Sequence, residues 1–114
     1  MKTLDSVKLA EKERVSVMLA ARTLKSDLPI SRVILFGSKA RGTGDVYSDI
    51  DLLVITSCPV TAGLRSNVSE KLADINLQND VALSSVVVFE KDWIDGLVRY
   101  MPIYGEVQRD GCEV

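Results

Sequence analysis

Histidine is absent from the 114 residues of this chain, which excludes imidazole acid–base chemistry and the common zinc sites that contain histidine. The two cysteines, Cys58 and Cys112, lie far apart without a Cys-x-x-Cys pair, so no thiol-based metal or redox site is expected. No apolar run approaches the length of a membrane-spanning helix, and the first residues lead into a charged segment instead of a signal-peptide core. We therefore expect a reduced, cytoplasmic protein without a membrane segment.

A surplus of basic charge is also absent, because 14 lysines and arginines face 16 aspartates and glutamates for a net charge of −2. Proteins that hold extended nucleic acid by its phosphates usually carry a strongly basic surface, so extended nucleic acid is not an expected partner. The length is that of one domain, which we place at residues 1–114. Such a domain would act alone, as a homo-oligomer or with a partner protein.

The pattern of apolar residues predicts alternating helices and strands. Apolar side chains at three- and four-residue steps predict a first helix that begins near Leu4 and ends near Leu28. The other elements are expected at about residues 31–37 (strand), 49–55 (strand), 60–78 (helix), 80–88 (strand), 93–98 (helix) and 102–110 (helix). The long helix before the third strand permits a parallel return. These elements predict an α/β (α+β) fold with a mixed sheet of three or four strands and covering helices.

Asp49 and Asp51 open an apolar run at the start of the second strand. Because side chains alternate along a strand, both carboxylates should lie on one face while Ile50 points into the core. Two neighbouring carboxylates are costly unless a proton or a cation compensates them. Oxygen ligands of this kind suit Mg²⁺, which commonly takes one or two protein carboxylates plus substrate phosphates. The pattern predicts Asp49 and Asp51 as metal ligands, although both could also face solvent or pair with a lysine.

A glycine-serine turn closes the strand before this pair. Gly37 would let the backbone approach a phosphate closely, and Ser38 would add a hydroxyl beside the N–H groups of a helix start. Lys39 and Arg41 add positive charge. If the two strands pair antiparallel, the turn and the carboxylates meet at the same end of the sheet. A metal-bound nucleoside triphosphate would then have its phosphates on the turn and its cation on the aspartates.

Purely structural roles are also possible for two residues of the turn. Ser38 could serve as a helix N-cap, with or without a phosphate contact. Arg41 could be a solvated helix residue.

The two segments together resemble a known family. Gly-Ser-Lys-Ala-Arg-Gly at residues 37–42, followed by Ser-Asp-Ile-Asp-Leu at residues 48–52, resembles the signature of the minimal nucleotidyltransferases of the DNA polymerase β superfamily. MNT-type antitoxins belong to this group. The resemblance implies a nucleotidyltransferase fold and Mg²⁺-dependent transfer of a nucleoside monophosphate from a triphosphate, with ATP first among the candidates, to an acceptor hydroxyl. It also implies an acceptor, a tyrosine on a HEPN-type toxin, and makes Asp49 and Asp51 the catalytic residues.

The chain departs from this family pattern at two positions. Relatives that catalyse transfer usually carry a third carboxylate on the strand after the next helix, where it helps to bind a second metal and to activate the attacking hydroxyl. The corresponding residue here is Ser84, and a hydroxyl is a poor metal ligand and a poor base. Asp80 is expected on the same face, but four residues of strand separate the two by about 13 Å. Lys39 stands where many relatives carry arginine, which keeps the charge but loses the planar fork that grips phosphate.

Two function hypotheses follow. The first is an active enzyme that modifies a partner. The second is a catalytically degenerate antitoxin or regulatory subunit that acts by binding its partner, which the missing third carboxylate favours. Retention of both aspartates and of the glycine-serine turn favours the enzyme, because a pure binder has no need of two like charges side by side.

Overall fold

Helices and strands alternate along the chain, and the computed structural model describes all residues from 1 to 114. The strands are β1 (Lys2–Thr3), β2 (Ile30–Phe36), β3 (Ile50–Thr56), β4 (Leu83–Phe89) and β5 (Cys112–Glu113). The helices are α1 (Glu11–Asp27), α2 (Gly37–Arg41), α3 (Ala62–Asn79), α4 (Glu90–Asp95) and α5 (Pro102–Asp110), with short 3-10 helices at Leu4–Ser6 and Leu97–Tyr100. None of the helices combines the length and the apolar character that crossing a bilayer requires.

The five strands form one mixed sheet in the order β1-β5-β2-β3-β4. β2 pairs antiparallel with β3, and β3 pairs parallel with β4 after the crossover through α3. The predicted mixed sheet and the predicted parallel return are therefore confirmed. The sheet has five strands instead of three or four because the two-residue strands β1 and β5 pair with each other, and β5 also pairs with β2. Strands of two residues are too short to show an alternating pattern in a sequence.

Alternation along the strands divides the buried side chains between the two faces of the sheet. Leu52 and Val54 belong to the larger core, which they share with apolar residues of α1 and α3. Leu53 and Ile55 belong to a smaller core on the other face, which includes Trp93 of α4 and a valine of α5. Asp51 has the same parity as Leu53, so its side chain lies on the face that α4 and α5 cover.

The first α-helix starts later than predicted, because the segment before it contains only a short 3-10 helix and extended backbone. The Arg14 guanidinium donates hydrogen bonds to the carbonyl oxygens of Leu4 at 2.7 Å and of Val7 at 2.8 Å. The Ala10 N–H donates to Glu13 Oε1 at 2.9 Å, which satisfies one of the free donors of the helix start. Val7 has an extended backbone and its side chain is buried in the core, so the apolar residues before α1 matched a helical spacing without being part of the α-helix.

The third long strand also starts later than predicted. Asp80 follows the last residue of α3 in a left-handed conformation with φ 52°, and β4 begins only at Leu83. The Asp80 carboxylate pairs with the Lys12 ammonium of α1 at 3.3 Å. The expectation that Asp80 shares a strand face with Ser84 is therefore wrong, and Asp80 is not a substitute for the missing carboxylate.

Candidate functional site

Gly37 brings the turn and the end of β3 into direct contact. Its φ of +79° is a backbone conformation that residues with a side chain rarely adopt. A Cβ atom at this position would overlap with Oδ2 of Asp51. The register of the antiparallel pair produces this proximity, because Phe36, the last residue of β2, is the partner of Asp51. The prediction that the turn and this carboxylate meet at one end of the sheet is confirmed.

Ser84 lies directly beside Asp51 on the neighbouring strand. The two residues are partners in the parallel register of β3 and β4, and the Ser84 hydroxyl donates a hydrogen bond to Asp51 Oδ1 at 2.8 Å. The position that the family resemblance assigns to a third carboxylate therefore faces Asp51 and holds a neutral donor. Asp51 is hydrogen-bonded at Oδ1 by the Ser84 hydroxyl, and its Oδ2 occupies the space that a side chain on Gly37 would need.

Asp49 differs from Asp51 in having no protein partner. It precedes the first residue of β3, is exposed, and forms no hydrogen bond or ion pair. The loop before it is ordered by Asp45, whose Oδ1 accepts hydrogen bonds from the Tyr47 N–H at 2.8 Å and from the Ser48 hydroxyl at 3.3 Å. The Asp49 carboxylate is consequently available to a cation at the entrance to β3.

Ser38 is the second residue of α2 and not its N-cap. The residue at the N-cap position is Phe36, which makes no side-chain hydrogen bond, so the predicted capping role of Ser38 is wrong. The helix begins at Gly37, two residues earlier than a cap at Ser38 would require. The Ser38 carbonyl accepts hydrogen bonds from the N–H groups of Thr43 at 3.1 Å and Gly44 at 3.2 Å, which close the turn after the helix. The Ser38 hydroxyl itself has no partner and is free to contact a ligand.

Lys39 points away from the carboxylates, toward the start of α1. Its ammonium is buried and pairs with Glu13 Oε2 at 2.9 Å, and it donates a hydrogen bond to the Asp45 carbonyl at 2.7 Å. Partial burial opposes ionisation of Glu13, but hydrogen bonds from Lys39 and Ala10 outweigh it, so the pKa of Glu13 lies below its ordinary value. This placement differs from the expected phosphate contact, because the Lys39 charge is already neutralised and joins α1, α2 and the loop before β3.

Arg41, unlike Lys39, has no partner within the protein. The side chain is exposed and makes no hydrogen bond or ion pair. Its cationic group, at the last position of α2, is the one basic group of the turn that remains available for a phosphate.

Glu13 is the residue of this region that the sequence pattern did not reveal. A glutamate at the third position of a helix is a recognised start signal, because its carboxylate can accept the N–H before the helix. The signal was hidden here because the apolar spacing predicted that the helix begins near Leu4.

The donor set fits a divalent cation that a substrate helps to hold. Nowhere in the structure do three histidine, cysteine, aspartate or glutamate side chains converge, so the two predicted ligands, Asp49 and Asp51, have no third such side chain beside them. Two protein carboxylates are a common share of an Mg²⁺ shell when substrate phosphates and water supply the other oxygens. Gly37, which carries no side chain, sets the start of α2 next to the Asp51 carboxylate.

The sequence matches a known protein family and a known relative. A family model described as nucleotidyltransferase domain matches residues 17–109. A protein of Methanocaldococcus jannaschii, assigned as a candidate protein adenylyltransferase, is 30% identical over 74 residues, which are 62% of this chain and 75% of the relative.

Solved structures share the fold at lower identity. A chain from the crystal structure of a toxin–antitoxin with AMP-PNP superposes with a TM-score of 0.59 at 19% identity, over 91% of this chain and 72% of that chain. A chain from the complex of a tri-AMPylated HEPN toxin of Shewanella oneidensis with its MNT antitoxin superposes with a TM-score of 0.55 at 19% identity, over 89% of this chain and 70% of that chain.

Proposed function

Because this chain belongs to the nucleotidyltransferase domain family, we propose that it transfers a nucleoside monophosphate from a nucleoside triphosphate to a hydroxyl group of a partner protein. The observation that carries the proposal is the contact between the Asp51 carboxylate and Gly37. This contact joins a carboxylate suited to a cation to a turn whose backbone is open to a phosphate.

The side chains at the end of β3 would bind the triphosphate. Asp49 and Asp51 would hold Mg²⁺, and the bound ion would offset the charge that builds up as the bond to pyrophosphate breaks. The free Ser38 hydroxyl and the unpaired Arg41 guanidinium would contact phosphate oxygens. Lys39 would act on this site indirectly, by fixing α2 and the loop before Asp49 through its bonds to Glu13 and the Asp45 carbonyl.

The reaction is an in-line displacement at the α-phosphorus. The acceptor oxygen forms a bond to this phosphorus while the bond to the oxygen that bridges to the β-phosphate breaks. Pyrophosphate leaves with the electron pair of that bond, and the proton of the acceptor hydroxyl passes to solvent. The protein contributes by positioning, because a triphosphate fixed on α2 and β3 presents one direction of attack.

ATP and a HEPN-type protein are the proposed donor and acceptor. The Methanocaldococcus relative is assigned as a candidate protein adenylyltransferase, and one structural neighbour is a complex that contains an AMPylated HEPN toxin. These names support AMP as the transferred group and a HEPN-type protein as the acceptor, and we propose a tyrosine hydroxyl of that protein as the group that receives AMP.

One observation favours a second candidate function. Ser84 supplies a neutral hydroxyl where a third carboxylate would support catalysis, and that hydroxyl is bonded to Asp51. A degenerate antitoxin or regulatory subunit that binds its partner without modifying it would need no acidic group at this position.

The deciding experiment follows the label from each of ATP, GTP, CTP and UTP, labelled at the α-phosphate, into a HEPN-type partner in the presence of Mg²⁺. Asp49→Asn should abolish labelling, whereas Asp74→Asn, the same change at an exposed aspartate of α3, should leave it intact. Labelling that survives in Asp49→Asn would contradict the proposed transfer. Neutralisation of the partner without any labelling would establish the second candidate.

A further inference from the structure

The Asp51 carboxylate is hydrogen-bonded at one oxygen and packed closely against the backbone at the other. Oδ1 accepts the Ser84 hydroxyl at 2.8 Å, and Oδ2 rests against the Cα of Gly37. Asp49 is exposed and has no protein partner. The site therefore offers a cation one carboxylate that is free to move, that of Asp49, and one whose position is fixed, that of Asp51.

The charge of this donor set limits how many cations it can hold. Paired metal ions in phosphoryl-transfer sites lie about 3.5–4 Å apart. The repulsion between two dipositive ions is about four times that between two unit charges at the same distance, so bridging anionic ligands must offset it. Asp49 and Asp51 supply two negative charges. Ser84, the partner of Asp51 on the neighbouring strand, supplies none. The hydroxyl of Ser84 also directs its proton at Asp51, where a bridging ligand would have to present lone pairs.

We infer that Ser84 makes this a site for one divalent cation per bound nucleotide, an inference that rests on the proposed function. The single ion is held by Asp49 and Asp51 and by the phosphates of the nucleotide. Ser84 limits the site to one cation because it occupies the position where a carboxylate would provide ligands for a second cation. Its neutral hydroxyl instead orients Asp51 through a hydrogen bond. Ser84 thus determines how many cations bind without binding metal itself, because it is the partner of Asp51 in the strand register.

The test counts Mn²⁺ in place of Mg²⁺. Equilibrium dialysis against Mn²⁺ and a non-hydrolysable ATP analogue gives the ratio of protein-bound Mn²⁺ to protein-bound nucleotide. The wild-type protein should retain one Mn²⁺ per nucleotide, and Ser84→Asp should retain two. Ser84→Asn is the matched control, because its side chain has the size of aspartate without the charge, and it should retain one.

The outcomes separate this inference from the proposed function. Two Mn²⁺ per nucleotide in the wild-type protein, or an unchanged ratio of one in folded Ser84→Asp, would overturn the inference and leave nucleotide binding intact. Failure of the wild-type protein to retain nucleotide at all would overturn the proposed function itself.

A thermal measurement covers the case in which the variant is unstable. A third carboxylate beside Asp51 should lower the melting temperature of Ser84→Asp without metal, and Mn²⁺ should raise it by more than it raises that of wild type or Ser84→Asn. Equal shifts in all three proteins would contradict the role given to Ser84. If Ser84→Asp does not fold, the ratio of Mn²⁺ to nucleotide in the wild-type protein tests the inference: a ratio of one supports it and a ratio of two overturns it.

Discussion

The carboxylate of Asp51 lies directly against the Cα of Gly37, and no side chain fits between them. The antiparallel register of β2 and β3 creates this contact, because it sets Phe36 opposite Asp51 and so brings the next residue, Gly37, to the carboxylate. Two independent conditions therefore require glycine at position 37, the left-handed backbone and the neighbouring oxygen. The turn and the carboxylate end of β3 behave as one unit.

Gly37→Ala should destabilise the protein and weaken its binding of divalent cations. The backbone strain alone costs about 1–3 kcal/mol, and the added methyl group would displace the Asp51 carboxylate. Urea denaturation gives the loss of stability, and a Mn²⁺ titration gives the loss of binding. Gly63→Ala is the control, because a Cβ there would meet no atom closer than 3.9 Å, and it should leave both measurements near wild type. Wild-type cation binding in folded Gly37→Ala would refute the coupling.

Lys39→Met should lower the free energy of unfolding by about 3 kcal/mol, because it leaves the largely buried Glu13 carboxylate without its partner. Lys12→Met is the comparison, since the pair of Lys12 with Asp80 has side chains that are 56% and 99% exposed and should contribute less than about 1 kcal/mol. Chemical denaturation of both variants measures the difference. Equal losses in the two variants would show that burial of the Glu13 pair has no special weight.

The same ion pair should make stability depend on pH in the acidic range. The folded-state pKa of Glu13 lies below its ordinary value of 4.5, so the carboxylate stabilises the fold above that pH, and this contribution is lost as the pH falls through the folded pKa. The stability gap between wild type and Glu13→Gln should therefore be full near neutrality and shrink below about pH 4.5. Urea denaturation between about pH 3 and pH 6 tests this. A constant gap would contradict the lowered pKa.

The two thiols should differ in reactivity. Cys112 is fully buried in the larger core, and burial raises the pKa of its thiol, so both access and thiolate formation are restricted. Cys58 is partly exposed. A thiol reagent should label one cysteine quickly in the native protein and the second only in denaturant. Cys58→Ser should remove the fast phase, and a fast phase that persists in this variant would mean that Cys112 is accessible in the native state.

Local sequence patterns were sufficient to predict those elements whose structure depends on residues close together in the chain. The apolar run that follows Asp51 predicted β3, and alternation along the strand predicted the burial of Ile50. A proline at the start and a glycine after the end predicted α5, which the structure has at Pro102–Asp110. The spacing of the glycine-serine turn and the two aspartates predicted that they belong together, because a short connection between paired strands leaves few other arrangements.

The sequence by itself determined the order of the long elements, the strand that carries Asp51 and the turn that opposes it, since these depend on contacts close in the chain. Tertiary structure alone decided that Lys39 pairs with Glu13, that Asp80 pairs with Lys12, and that the Ser84 hydroxyl bonds to Asp51. Each of these outcomes depends on where separate elements pack and in what register. Packing free energy between elements distant in the chain sets those positions, and no local pattern records it.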